Sequence, residues 1–242
     1  FYPVANPAYN FYFCKGYYSR IAEGKMNGRV GRLLVSPLIS AMKKMNHNNS
    51  SYLDFLSSFR YTLAGEFSFR RRLIRDVRIP SDWGLEVGIL SEIQRNFANN
   101  MVCQVDIADK YDHKHQSISF DDPEKGLSKM SIDIIKTLIR KQASQGIGYN
   151  RDTLRALKAT YYRTALDYIS SYSYDAEMND IKLDINTEES YVELFSENIM
   201  KAGERVLDNP VKLNLMPNWS RVRSAVPFIY EKLIDAVERD NS

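Results

Sequence analysis

Met101-Val-Cys-Gln-Val-Asp-Ile107 reads as a short strand, and it runs straight into the polar stretch Asp109-Lys-Tyr-Asp-His-Lys-His115. A strand that ends in ligand-type side chains suits an open α/β sheet, which binds its ligands beyond the C-terminal ends of its strands. Upstream, Asn10-Phe-Tyr-Phe-Cys-Lys-Gly-Tyr-Tyr-Ser19 is aromatic-rich and reads as another strand, broken into a turn by Gly16. Between the two, Val30, Leu33, Leu34, Leu38, Ile39 and Met42 recur at helical spacing, with Pro37 bending or resetting the helix. A turn is expected at Gly65, with a helix beginning near Glu66 that presents Phe69, Leu73 and Ile74. Pro80-Ser-Asp-Trp-Gly84 then turns into a helix carrying Leu85, Val87, Ile89, Leu90 and Ile93. Residues 1–125 are therefore mixed α/β.

Beyond Asp121-Asp-Pro123 the pattern is helical throughout. Ile132, Ile135, Leu138 and Ile139 share one face, and Leu154, Leu157, Tyr161, Ala165 and Tyr168 share another. Asn186-Thr-Glu-Glu189 resembles a capping box ahead of Tyr191, Leu194, Phe195 and Ile199, and a last helix carries Ile229, Leu233, Ile234 and Val237. The expected fold class is α/β over 1–125 followed by an α-helical extension over 126–242. The extension must bury its apolar faces against the first half or a second copy, which makes a homodimer the expected assembly.

Composition narrows the function classes. The chain of 242 residues is 44% hydrophobic and carries 33 basic against 30 acidic residues, for a net charge of +3. A balance that even predicts no nucleic acid and no membrane surface as partner. No apolar run approaches the ~20 residues needed to cross a bilayer. Two cysteines, Cys14 and Cys103, fit a reducing, cytoplasmic compartment. The chain starts at Phe1 rather than Met, so an upstream segment is expected.

Three patterns could carry chemistry. His113 and His115, beside Asp109 and Asp112, could ligate a divalent ion from an extended loop, the alternative being a solvated polar loop. Gly65 before Glu66, with Glu86 on the next helix, could bring carboxylates to a substrate, the alternative being that Glu66 caps a helix. Asn27-Gly-Arg-Val-Gly-Arg32 places two glycines and two arginines at a helix start, where N–H groups and guanidinium forks bind phosphate or carboxylate. Arg70, Arg71 and Arg72 point different ways on a helix and read as a solvated face.

Taken in order, Asn27-Gly-Arg-Val-Gly-Arg-Leu-Leu-Val-Ser-Pro-Leu38, Leu63-Ala-Gly-Glu-Phe67, Trp83-Gly-Leu-Glu-Val-Gly-Ile-Leu90, Gln104-Val-Asp106 and Asp112-His-Lys-His115 resemble the glucosyl-3-phosphoglycerate synthases. These are retaining glycosyltransferases of GT-A fold, and the resemblance covers roughly residues 10–120. It implies a metal-dependent hexosyltransferase that uses a nucleoside-diphosphate sugar and 3-phosphoglycerate, with Mg2+ or Mn2+ as cofactor, in glucosylglycerate synthesis. Carried over residue by residue, it puts Gly28, Arg29 and Val30 at the acceptor. Gly65 falls beside the sugar and acceptor, Glu66 and Glu86 at the acidic positions, His113 on the metal, and Lys114 and His115 next to the acceptor or diphosphate. The family's Asp-x-Asp nucleotide motif has no counterpart in a suitable place and is expected upstream of Phe1. A non-catalytic glycosyltransferase-like subunit, or a helical interaction protein, remains the alternative function.

Overall fold

The computed structural model describes residues 2–108, 126–211 and 215–241. The first half runs α1 (Tyr2–Ala5), β1 (Phe13–Tyr18), a tight hairpin of β2 (Ile21–Ala22) and β3 (Lys25–Met26), and a π-helical segment Val30–Val35 continuing into α2 (Ser36–Met45). There follow α3 (Ser51–Ser57), β4 (Phe67–Phe69), α4 (Arg71–Ile74), β5 (Ile79–Pro80), α5 (Leu85–Asn96) and β6 (Val102–Ala108). The second half is α6 (Gly126–Ser144), α7 (Arg151–Met178), α8 (Ile185–Asp208), the short β7 (Leu215–Met216), α9 (Trp219–Ala225) and α10 (Ile229–Asp240).

Both strands read from the sequence are present, side by side. β1 is central, parallel to β6 with Phe13 opposite Val102, and antiparallel to β4 with Phe13 opposite Phe69. The helix expected near Glu66 is instead β4, followed by the single turn α4. Cross-strand aromatic packing decides this: the Phe13 ring lies 5.9 Å from Phe67 and 6.5 Å from Phe69, which outweighs the helical spacing of Phe69, Leu73 and Ile74. Gly16 does not break β1 but sits inside it. Its N–H donates to the Glu66 carbonyl at 2.7 Å, and a Cβ there would stand 2.9 Å from that oxygen, so only glycine admits so close an approach. Pro37 resets the helix as expected, standing in the first turn of α2 where the π-helical register gives way to the α register.

α6, α7 and α8 bury their apolar faces on one core that runs from Phe13 through Leu33 and Leu34 to Tyr161 and Phe195. The Tyr161 hydroxyl, buried, donates to the Leu33 carbonyl at 2.6 Å and ties α7 to the π-helical segment. α8 starts earlier than its apparent capping box: Asp184 is the N-cap, and its carboxylate accepts from the Thr187 N–H and hydroxyl. The paired capping box belongs to α7, between Asn150 and Thr153. α10 departs from expectation, because none of its residues is buried. Among the described residues no helix is long and apolar enough to cross a membrane.

Candidate active site

Gly28 adopts φ +75°, with the Arg20 side chain 3.2 Å from where a Cβ would be, so this turn needs glycine. The turn opens the π-helical segment, the Arg32 N–H returning to the Gly28 carbonyl at 3.0 Å, and leaves the leading N–H groups of the helix without intrahelical acceptors. Beside it lies a cavity of about 300 Å³, walled by this turn, the Leu63–Gly65 loop and the starts of α5 and α6. Gly28, Arg29, Val30, Gly65 and Glu86, far apart in sequence, all line it, as does Trp83.

The two arginines of the turn do different work. Arg32 is fastened: it grips Glu188 of α8 bidentately at 2.7 and 3.2 Å, donates to the carbonyls of Asn27 and Met26, and lies 5.0 Å over the Tyr172 ring. Arg29 lines the cavity, stacked 4.8 Å over Tyr191 with its Nε 3.9 Å from Glu188. That Nε is buried and has no hydrogen-bond partner among the described residues. Arg20, which also lines the cavity over Tyr18 and Tyr61, has an Nε in the same condition. Two guanidinium groups at one cavity wall give it the positive charge that suits an anionic ligand.

The carboxylates stand nearby. Glu86, in the first turn of α5, is held above the ordinary carboxyl range by burial, with Lys15 pulling the other way. Glu66 precedes β4 rather than a helix, so it does not cap one, and its side chain hydrogen-bonds the Tyr18 hydroxyl. Burial holds the Tyr18 and Tyr61 phenols above their usual range. Lys15, fully buried in β1, donates to the Ala64 carbonyl and lies 5.4 Å over the Phe67 ring. Burial lowers its ammonium to about 8 against the opposing pull of Glu86 and Glu66. Lys15 therefore anchors the 64–66 turn from beneath the cavity.

Sequence reasoning did not single out Lys15, Arg20 or Tyr61. A lone lysine inside an aromatic strand was the available signal for Lys15; Arg20 and Tyr61 carried none. Arg70 lies 4.4 Å over the Tyr12 ring, and Arg71 and Arg72 are exposed, as expected of a solvated face. His113, Lys114 and His115 lie outside the described residues. Among the described residues no three His, Cys, Asp or Glu side chains group so as to hold a metal ion. The arginines on the cavity walls suit an anionic ligand.

No protein-family model matches the chain. Curated relatives do. The glucosyl-3-phosphoglycerate synthase of Persephonella marina is 43% identical over 241 residues, covering 100% of this chain and 59% of the relative. That of Methanococcoides burtonii is 40% identical over 242 residues, 99% of this chain and again 59% of the relative. A glucosyl-3-phosphoglycerate synthase of Petrotoga mobilis is 26% identical over 140 residues, 55% of this chain and 38% of its own length. The crystal structure of mannosyl-3-phosphoglycerate synthase from Rubrobacter xylanophilus is similar with a TM-score of 0.46 and 25% identity, over 62% of this chain and 43% of that one. The chain spans about three fifths of the length of the first two relatives. Over its whole length, the chain is a homologue of the glucosyl-3-phosphoglycerate synthases.

Proposed function

We propose that the chain is the acceptor-binding part of a GT-A-type glycosyltransferase that moves a sugar, glucose by its relatives' name, from a nucleoside-diphosphate sugar to 3-phosphoglycerate with retention. The observation that carries this reading is the convergence of Gly28, Arg29, Val30, Gly65 and Glu86 on one cavity of about 300 Å³. The acceptor is a phosphorylated carboxylate, and Arg29, Arg20 and the N–H groups of the 28–30 turn offer it charge-assisted hydrogen bonds. Glu66 orients the acceptor hydroxyl or stabilises the oxocarbenium-like sugar, and same-face attack requires no covalent intermediate. The raised proton affinity of Glu86 suits a carboxyl that holds a hydroxyl as donor or acceptor. Lys15 keeps the Glu66 turn in place beneath them.

When bound, a divalent ion such as Mg2+ or Mn2+ would offset the charge of the leaving diphosphate, and His113 is the residue we assign to it, with His115 and Lys114 beside the diphosphate. Nucleotide binding is assigned to the part of the relatives that this chain does not span. A cytoplasmic homodimer making glucosylglycerate as a compatible solute belongs to the same proposal.

Trp83 reports on the cavity, while Trp219 stacks on Tyr230 at 5.8 Å elsewhere. In a Trp219→Phe background, titrating 3-phosphoglycerate should change Trp83 fluorescence saturably. Arg29→Lys keeps the charge but loses the fork, so the affinity should fall by ~1–3 kcal/mol. Unchanged acceptor affinity, with sugar-nucleotide affinity reduced instead, would overturn the assignment.

A further inference from the structure

A second concavity, of about 210 Å³, lies between β5, α5 and α6 and shares no lining residue with the acceptor cavity. Helical spacing builds it. Gly88, Glu92 and Arg95 stand on one face of α5, and Thr137, Arg140, Lys141 and Ser144 on one face of α6. Pro80 closes one side so tightly that a Cβ on Gly88 would come within 2.2 Å of its ring.

Charge in this concavity is out of balance. Arg78, Arg95, Arg140 and Lys141 line it against Asp82 and Glu92 only. Asp82 accepts from the Gly84 N–H at 3.0 Å and lies 3.9 Å from Lys136, and Glu92 accepts from the Arg78 N–H at 3.4 Å. None of the four cations forms an ion pair among the described residues. Among the described residues the Arg140 Nε is buried without a hydrogen-bond partner, and its Nη2 donates to the Asn209 carbonyl at 3.5 Å. Burial weakens the hold of both Arg140 and Lys141 on their protons, by more than Asp82 and Asp133 near Arg140 and Glu92 near Lys141 restore. Desolvating more positive than negative charge is costly, and a bound anion would relieve part of the cost.

We propose that this concavity binds a small phosphate-bearing anion, with Arg95, Arg140 and Lys141 as its principal ligands. Guanidinium forks and an ammonium around one space match the geometry of a phosphate group. The volume of about 210 Å³ takes inorganic phosphate or a phosphorylated carboxylate, and is too small for a nucleotide sugar. This site is independent of the acceptor reading.

Inorganic phosphate is the probe, titrated calorimetrically into the full chain at constant ionic strength. We expect, in an Arg29→Gln background that removes the acceptor-cavity arginine, a saturable isotherm whose association constant falls about tenfold or more on adding Arg140→Gln or Lys141→Gln, and stays within about twofold on adding Arg155→Gln at an exposed position of α7. If Arg140→Gln does not fold, as circular dichroism would show, the exposed Arg95→Gln takes its place with the same expected loss. No saturable binding to the wild-type chain overturns the proposal, as does wild-type binding by the α5 and α6 variants. Loss of all saturable binding in the Arg29→Gln background would put the anion in the acceptor cavity, and an equal loss on adding Arg155→Gln would mean non-specific charge; either result also overturns it. A second arm with 3-phosphoglycerate in the Arg29→Gln background separates the sources. Competition with bound phosphate identifies a phosphorylated carboxylate as a ligand, and no competition confines the site to inorganic phosphate.

Discussion

Replacing Glu188 by glutamine tests whether the helical second half holds the 28–32 turn in place. Glu188 is buried, and its carboxylate meets Arg32 at 2.7 and 3.2 Å and Arg29 at 3.9 Å. Arg32 is nearly as well covered as its partner, with 13% of its side chain exposed against 5% for Glu188, so solvent cannot take over the lost contact. Removing one partner of a buried pair costs about 3–5 kcal/mol when nothing else compensates. Here the Asn27 and Met26 carbonyls and the Tyr172 ring retain part of the guanidinium's satisfaction, and glutamine keeps one acceptor oxygen while turning an amide against the arginine. The expected loss is therefore about 2–4 kcal/mol, below the range for full truncation. Urea unfolding at neutral pH should show a lower midpoint with an unchanged slope. Arg32→Gln together with Glu188→Gln should cost less than the sum of the single changes, because the first loss already abolishes the pair. A loss under about 0.5 kcal/mol, or strict additivity, would refute the idea that this pair anchors the turn.

Three further outcomes are expected. The folded state holds Lys15 at about 8 against 10.5 in the free side chain, so between those values it has released a proton that the unfolded chain keeps. Stability of the wild type relative to Lys15→Met should therefore rise across that window by on the order of 3 kcal/mol, read by urea unfolding at stepped pH, and a flat difference would show that Lys15 is not desolvated. Glu86 has its folded proton affinity raised, so its ionisation penalises the fold above the ordinary carboxyl range; Glu86→Gln should gain stability at neutral pH, lose that gain in acid, and lower transfer activity in a form that spans the relatives' full length. Gly16→Ala forces a Cβ to 2.9 Å from the Glu66 carbonyl and should cost ~1–3 kcal/mol in denaturant unfolding while weakening acceptor binding.

The legible parts of the fold were those that local pattern controls: the strands around Phe13 and Val102, the reset at Pro37, and the apolar stripes of α6 to α8. Where a distant partner decides, local reading failed. Phe67 to Phe69 became a strand because Phe13 lies alongside, and no window around Glu66 contains that information. The same holds in the site. Gly28 and Arg29 could be singled out from glycine and arginine at a helix start, but Arg29 and Arg32 look equivalent in sequence. Only Glu188, 156 residues beyond Arg32, makes one a fastening and leaves the other at the cavity wall. Lys15 was missed because a lysine in a strand normally faces water, whereas β1 is buried over most of its length.

The cavity beside the 28–30 turn is built from both sides of residue 125, which constrains how the helical half can act. Leu127, Met130 and Ile134 of α6 form part of the wall, and Glu188 and Tyr191 of α8 hold the arginines of the 28–32 turn. α7 reaches the same segment through the Tyr161 hydroxyl on the Leu33 carbonyl. A turn that starts at a left-handed glycine and continues as a π-helix has little stability of its own. Its geometry is set instead by three helices that arrive from the second half of the chain. Any change that loosens the seat of α8 should therefore reach Arg29 before it reaches the sheet, and weaken acceptor binding at denaturant concentrations where β1 and β6 remain paired.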